Sequence, residues 1–359
     1  MNVDAVRAEF PVLDRLAYLN AGSIGPLARR TTEAMAARLA AELEGGRGGV
    51  AQFLDVVELR GRVRAALAAA IHALPENVAL TTSTTDACNV VLAGLELGPD
   101  DEIVTTDVEH FGLLGPLAVS EARVRVAEVR DRPAAEALDI IRSEVGPRTR
   151  LLALSHVAWT TGQVLPLREL REATGVPMLV DGAQSVGALP VRADGFDYYT
   201  VSCQKWLCGP DGAGALYVAD PDALPVARPS YFSQDAFETD GSFTAKAGAA
   251  RFDTGWIAPA ALAGLEAALS GLPEWRFERA AAMAALCRER IAERFEVVTE
   301  PDQATLVSWR AEGDAAEANV RAWEQGVVIR DMPGRGWLRA SCGYWTNEDD
   351  IDRLAAALA

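Results

Sequence analysis

Lysine is nearly missing from this chain: of 34 Lys and Arg residues, only Lys205 and Lys246 are lysine. A guanidinium stays protonated in proteins, whereas a buried ε-amine can lose its proton and attack a carbonyl carbon. Other absences narrow the field. The five cysteines (Cys88, Cys203, Cys208, Cys287, Cys342) form no CxxC pair, and there are only three histidines. Neither a disulfide framework nor a zinc site is expected, and no metal. No apolar run is long enough for a membrane span, and Met1-Asn2-Val3-Asp4-Ala5-Val6-Arg7 lacks a signal peptide's basic start and apolar core. A cytoplasmic protein is the expectation. The net charge of −17 comes without any basic stripe, which speaks against nucleic acid and anionic membranes as partners. Neither GxGxxG nor GxxxxGK[ST] occurs, so a nicotinamide dehydrogenase or a P-loop enzyme is not expected.

What is present is enough apolar sequence, 50% of 359 residues, for a large core and two domains. From about residue 78 to 219, apolar runs at Val78-Thr81, Glu102-Thr105, Val124-Val129, Leu151-Ser155, Met178-Val180, Tyr198-Ser202 and Ala215-Val218 read as strands. Helical patterns at Thr85-Leu97, Ala134-Val145 and Leu167-Ala173 lie between them. Alternation of this kind predicts an α/β fold whose sheet is mostly parallel, with ligands bound beyond the carboxyl ends of the strands. Helices are expected over Thr31-Glu44 and Asp55-Ala73, joined by a glycine-rich loop. After residue 258 come Ala-rich helices over Pro259-Leu272 and Arg276-Phe295, short strands, and a last helix over 347–359. The division expected is a large domain over 16–258 and a small α+β domain made of 1–15 and 259–359.

Chemistry gathers at the strand ends. Met178-Leu179-Val180 is followed by Asp181-Gly182-Ala183-Gln184, and Lys205 follows the strand that ends at Ser202. Lys246 reads as a surface-loop residue. A carboxylate and a lysine at neighbouring strand tips suit pyridoxal phosphate (PLP), which needs an amine for its aldehyde and an acid for its pyridine nitrogen. Thr81-Thr82-Ser83-Thr84-Thr85 leads from a strand into a helix, offering hydroxyls and backbone N–H groups to a phosphate at the positive end of a helix dipole.

Taken in order, Tyr18-Leu19-Asn20-Ala21-Gly22, Thr81-Thr82-Ser83-Thr84-Thr85-Asp86-Ala87, Glu109-His110, Ser155-His156-Val157, Asp181-Gly182-Ala183-Gln184, Ser202-Cys203-Gln204-Lys205 and Arg339-Ala340-Ser341 resemble the class V aminotransferase family. This is the cysteine desulfurase-like, C–S lyase-like branch of the fold-type I PLP enzymes. The resemblance implies a seven-stranded, mostly parallel sheet in the large domain, a smaller C-terminal domain, and a homodimer. It implies that Lys205 holds the cofactor as a Schiff base and moves the Cα proton. Asp181 would pair with the pyridine nitrogen and His110 would stack on the ring. Gln184 would bond the phenolic oxygen, with His156 beside it. Ser83, Thr84, Thr85, Ser202 and Gln204 would hold the phosphate. Arg339 would take the carboxylate of an amino-acid substrate as a bidentate pair, with Asn20, Arg330 and Arg335 near it.

Two departures bear on the reaction. Desulfurases resembling this chain carry a nucleophilic cysteine shortly before the carboxylate arginine; here Arg330-Asp331-Met332-Pro333-Gly334-Arg335-Gly336-Trp337-Leu338 has none. In Phe252-Asp253-Thr254-Gly255-Trp256, either Thr254 reaches the partner subunit's phosphate or Trp256 lines the substrate pocket. Lyase-type chemistry on a sulfur-containing or otherwise β-substituted amino acid is expected, ahead of transamination or epimerisation, and well ahead of a non-catalytic scaffold.

Overall fold

The structure, a computed structural model, describes residues 2–358; Ala359, the last residue of the expected final helix, lies outside the described residues. The chain opens with α1 (Val3–Arg7) and β1 (Ala17–Tyr18), followed by the long helices α2 (Arg29–Gly45) and α3 (Val50–Ala70). Then come β2 (Val78–Thr81), α4 (Thr84–Gly94), β3 (Glu102–Thr106), α5 (Phe111–Ala118), β4 (Arg123–Ala127), α6 (Ala137–Glu144), β5 (Thr149–Ser155), α7 (Leu167–Thr174), β6 (Met178–Asp181), β7 (Tyr198–Ser202) and β8 (Gly214–Val218). A hairpin of β9 (Gln234–Phe237) and β10 (Phe243–Ala245) precedes α8 (Pro259–Ser270) and α9 (Arg276–Ala292). The remainder is β11 (Leu306–Arg310), α10 (Ala315–Glu324), β12 (Val327–Val328), β13 (Arg330–Met332), β14 (Trp337–Ser341) and α11 (Glu348–Ala357).

Seven strands form one sheet in the order β2-β8-β7-β6-β5-β3-β4. Only β8 runs against its neighbours. Buried on both faces, the central strands carry apolar runs, Leu151 to Leu154 in β5 and Met178 to Val180 in β6, as covered parallel strands do. One face packs Val104, Leu154, Val180 and Val201 under α3, α6, α7 and α8; the other packs Ile103, Ala153, Leu179 and Leu216 under α4 and α5. A second, three-stranded sheet, β11-β14-β13, has its own core with α9, α10 and α11.

The expected strands match to within about two residues, and the differences have local causes. β4 stops at Ala127 rather than running to Val129, because the N–H groups of Val129 and Arg130 turn to the Asp107 carboxylate. α3 starts at Val50, five positions before the expected Asp55. Ala17 and Leu19 lie in the core of the three-stranded sheet, and β1 pairs with β12. The boundary expected at residue 16 therefore falls one residue before a strand that packs with the C-terminal layer. α11 begins with a capping box between Asn347 and Asp350, which contributes about 1 kcal/mol. Arg7 bonds the same Asp350 at 2.6 Å and so fastens the N-terminus to this helix.

Candidate active site

The carboxyl ends of β5, β6 and β7 meet the N-terminus of α4 and the edge of the three-stranded sheet, and the expected residues gather there. Asp181 closes β6 and is 3% exposed. Its Oδ1 accepts from the Ala183 N–H at 2.9 Å and the Thr200 hydroxyl at 3.3 Å, leaving Oδ2 for a further donor. Lys205 lies just beyond β7, in a turn closed by Cys208 N–H to the Lys205 carbonyl and Gly209 N–H to the Cys203 carbonyl. Gly25 packs on this turn, donating its N–H to the Gln204 carbonyl; any Cβ there would run into the Lys205 carbonyl. Burial pulls the Lys205 amine down to about 8, with Arg339 and Arg330 adding to the effect and Asp181 opposing it. A large share of this amine is therefore neutral, and nucleophilic, at mildly alkaline pH.

Of the five consecutive hydroxyl residues, three are engaged internally. Thr81 donates to the Ser83 carbonyl, Thr82 bonds Asp86, and Ser83 is the N-cap of α4, accepting from the Asp86 N–H. The Ser83 oxygen thus caps the helix, while its hydroxyl hydrogen is left free to donate. Thr84 and Thr85 open α4, where a phosphate is favoured. The Thr85 hydroxyl lies only 2.9 Å from where a Cβ on Gly112 would stand. Ser202 donates to Gln204 at 2.9 Å.

His110 caps α5, its Nδ1 accepting from the Gly112 N–H at 3.0 Å, which puts the proton of the neutral ring on Nε2. Burial and the Lys205 charge hold its pKa below the usual histidine value, so the ring is neutral at pH 7. Gln184 is held at both ends, donating to the Gly22 carbonyl at 2.8 Å and accepting from Trp206 Nε1 at 3.0 Å. One amide hydrogen is left over for a phenolic oxygen.

The carboxylate side of the site is an arginine pair, Arg339 and Arg330, with no acidic side chain paired to either among the described residues. Arg339 on β14 is 0% exposed. It donates to the Trp159 carbonyl at 2.6 Å, its Nη2 lies 3.5 Å from the Ser23 hydroxyl, and its Nε has no partner. Burial, helped by Arg330, pulls it down to about 9. Arg330 is its neighbour across the β13–β14 ladder and bonds Ser23 at 3.0 Å. Ser23 in turn donates to Asn20 at 2.9 Å. Gly22 makes room for all of this: a Cβ there would stand 2.8 Å from Arg339 Nη2. A buried cation with an orphaned N–H is costly unless an anion completes it.

Other expected residues are placed elsewhere. His156 follows Ser155, and the alternation at the end of β5 sends its ring the other way. Nδ1 sits 2.6 Å from the Tyr199 hydroxyl, beside Phe196, and the ring is half-buried. Burial holds its pKa down at about 4, so the ring is neutral at pH 7. Arg335 lies in the β13–β14 turn, its N–H bonded to the Met332 carbonyl. Trp256 is 58% exposed and packs edge-on against Phe232, on an open groove of about 540 Å³ with Phe53 and Val56. Thr254 is tied to the Leu80 carbonyl, and the preceding Asp253 is clamped by Arg60 and Arg64 at 2.9 and 2.7 Å. Lys246 follows β10 with its amine 5.9 Å from the Phe232 ring.

Sequence reasoning gave no role to Glu109 or Trp159. The Glu109 carboxylate takes the Ser155 N–H, the Ser155 hydroxyl and the Thr106 hydroxyl, binding the His110 loop to β5. Burial raises its pKa to about 7. The signal available was a second carboxylate, two residues after Asp107, in the loop that follows β3, and a lone tryptophan four residues beyond the end of β5.

An amine with a depressed pKa, a buried carboxylate with a free oxygen, hydroxyls at a helix N-terminus and an arginine lacking a counter-ion together fit PLP and an amino acid. The fold and this site define a PLP-dependent enzyme of fold-type I. The chain belongs to the class-V aminotransferase family, whose model matches residues 26–354. It is 32% identical to an isopenicillin N epimerase of Streptomyces clavuligerus, over 95% of this chain and 93% of that one. It is 33% identical to a probable cysteine desulfurase of Pseudomonas aeruginosa, over 79% and 78%. Among solved structures, the cystine C–S lyase C-DES in complex with cysteine persulfide superposes with a TM-score of 0.89 at 30% identity, over 97% of this chain and 98% of that one. Among the described residues no helix is long and apolar enough to cross a membrane, and no group of side chains is arranged to hold a metal.

Proposed function

We propose that this chain is a lyase that cleaves the bond between Cβ and sulfur, or another β-substituent, of an amino acid without using a protein thiol as sulfur carrier. One observation carries the reading: all five cysteines are buried, and the β13–β14 hairpin beside Arg339 is a short turn without a thiol. Similarity to the C–S lyase C-DES supports it.

When bound, PLP would supply an electron sink that acidifies the substrate's Cα–H. The chain's own residues would do the rest. Arg339 and Arg330 would hold the carboxylate, and Lys205 would take the Cα proton as the β-substituent leaves with the bonding pair. Asp181 would keep a proton at the ring nitrogen through Oδ2, with His110 against the ring. Thr84, Thr85, Ser202 and Gln204 would hold the phosphate. Epimerisation is the second reading, favoured by the similarity to isopenicillin N epimerase and by a neutral His110 with its proton on Nε2. We further propose a homodimer in which a second copy covers the exposed Leu39, Leu43, Leu54, Tyr231 and Trp256, bringing Thr254 toward the other subunit's phosphate.

The test is to measure the solution mass by sedimentation, then incubate the PLP-loaded protein in D2O with L-cystine, L-cysteine and β-substituted alanines. Catalytic release of pyruvate with a sulfur product is expected, from a dimer. A D-amino acid carrying Cα deuterium without pyruvate would establish epimerisation instead. Stoichiometric keto acid with pyridoxamine phosphate would establish transamination, and either result sinks the lyase reading.

A further inference from the structure

Trp159 touches both arms of the site. It sits in the turn after β5, closed by Ala158 N–H to the Gln163 carbonyl at 2.8 Å and Gly162 N–H to the Ala158 carbonyl at 2.9 Å. The C-terminal layer grips this turn: the Ser308 hydroxyl donates to the Thr160 carbonyl and the Thr299 hydroxyl to the Thr161 carbonyl, each at 2.6 Å. Gly162 has φ +77° and its backbone lies against Leu306, so no other residue fits. The turn is thereby fixed to both sheets.

From there the residue reaches in four directions. Its indole N–H donates to the Glu109 carbonyl at 3.1 Å, holding the residue before His110. Its ring meets the His110 ring at 5.1 Å between centroids and 90° between planes. The Arg330 guanidinium carbon lies 5.6 Å from its ring centre, within cation–π range. Its own carbonyl accepts from Arg339 at 2.6 Å.

We propose that Trp159 is a positioning residue for the substrate carboxylate, setting where the Arg339–Arg330 pair stands relative to the His110 face of the site. This rests on the reading of Arg339 as the carboxylate ligand. Removing the indole N–H leaves the Glu109 carbonyl unpaired and lets the His110 loop shift against the arginines. Ligands anchored at both places should suffer, and ligands anchored only through their amine should not.

The experiment compares L-alanine with ethylamine, the same amine without its carboxylate, by titrating the PLP-loaded protein and following the absorbance of the bound cofactor. The wild type should favour alanine by about a hundredfold or more, the worth of two charge-assisted hydrogen bonds at the low end of their range. In W159F, which keeps a ring but lacks the N–H, that preference should narrow by about fivefold, the loss of one neutral hydrogen bond, with ethylamine binding and cofactor occupancy unchanged. W159H, which retains a ring N–H, should recover part of the preference. Equal losses for both ligands in W159F, no change for either, or loss of the cofactor itself would each overturn the proposal. If the wild type binds the two ligands alike, it is the Arg339 assignment that fails.

Discussion

Arg339 is charged and fully buried, with no carboxylate beside it, and its replacement by methionine should separate stability from function. Burial pulls its pKa down from the ordinary arginine range to about 9, a fall of more than three decades. At about 1.4 kcal/mol per decade this corresponds to roughly 5 kcal/mol against the charged form, an order-of-magnitude figure. Because a base with a depressed pKa is penalised wherever it remains protonated, the whole cost is present at pH 7 and shrinks as pH rises above 9. Methionine removes the charge but leaves the Trp159 carbonyl without its donor, costing about 1–3 kcal/mol, and fills the space less well. The net expectation is a cofactor-free protein about 1–3 kcal/mol more stable than wild type. Substrate recognition should move the other way. Losing two charge-assisted hydrogen bonds of about 1.5–3 kcal/mol each weakens amino-acid binding by about 10²- to 10⁴-fold. Urea unfolding of the cofactor-free proteins at pH 7, paired with amino-acid titration of the loaded ones, reads both quantities. An R339M protein less stable than wild type, or one that binds its substrate within about threefold of wild type, would refute the argument.

Two further outcomes follow from the titrating groups. Lys205→Ala should yield a protein whose PLP is no longer fixed by borohydride, and in the wild type the rate of attachment should rise with pH through about 8, as the amine loses its proton; a rate flat across that range would contradict the assignment. For Glu109 the folded pKa of about 7 exceeds the ordinary 4.5, so the stabilisation is fully present below 4.5 and is lost as pH rises through 7. The loss is at most about 3 kcal/mol. Glu109→Gln cannot titrate, and its stability relative to wild type should climb between those pH values; parallel stability–pH curves for the two proteins would exclude a buried, proton-holding carboxyl.

The strands were legible because a sheet covered on both faces demands apolar runs, and β2 and β7 begin and end where the pattern changes. Lys205, Asp181 and Arg339 were legible for a related reason: a residue that can ionise, placed next to such a run, stands out chemically. Facing was not legible. Whether His156 turns toward Asp181 or toward Tyr199 depends on the pleat at the last residue of β5, and one step along a strand exchanges one side of the sheet for the other. Ser83 was ambiguous for a different reason, since a hydroxyl at a helix start suits a cap and a phosphate equally well. Trp159 escaped notice because its importance lies in what surrounds it, the Glu109 carbonyl and two guanidinium groups brought in from residues far along the chain.

The turn at Trp159–Gly162 also bears on how the molecule breathes. It is where the two sheets are stitched together, by Thr299, Ser308 and Arg339 from one side and the β5 extension from the other, and it is where repulsion between two like charges is stored. An anion settling between the arginines relieves that repulsion, so amide exchange at Thr160, Thr161 and Ser308 should slow once it binds. The ligand then acts as a clasp across the seam that joins the two sheets.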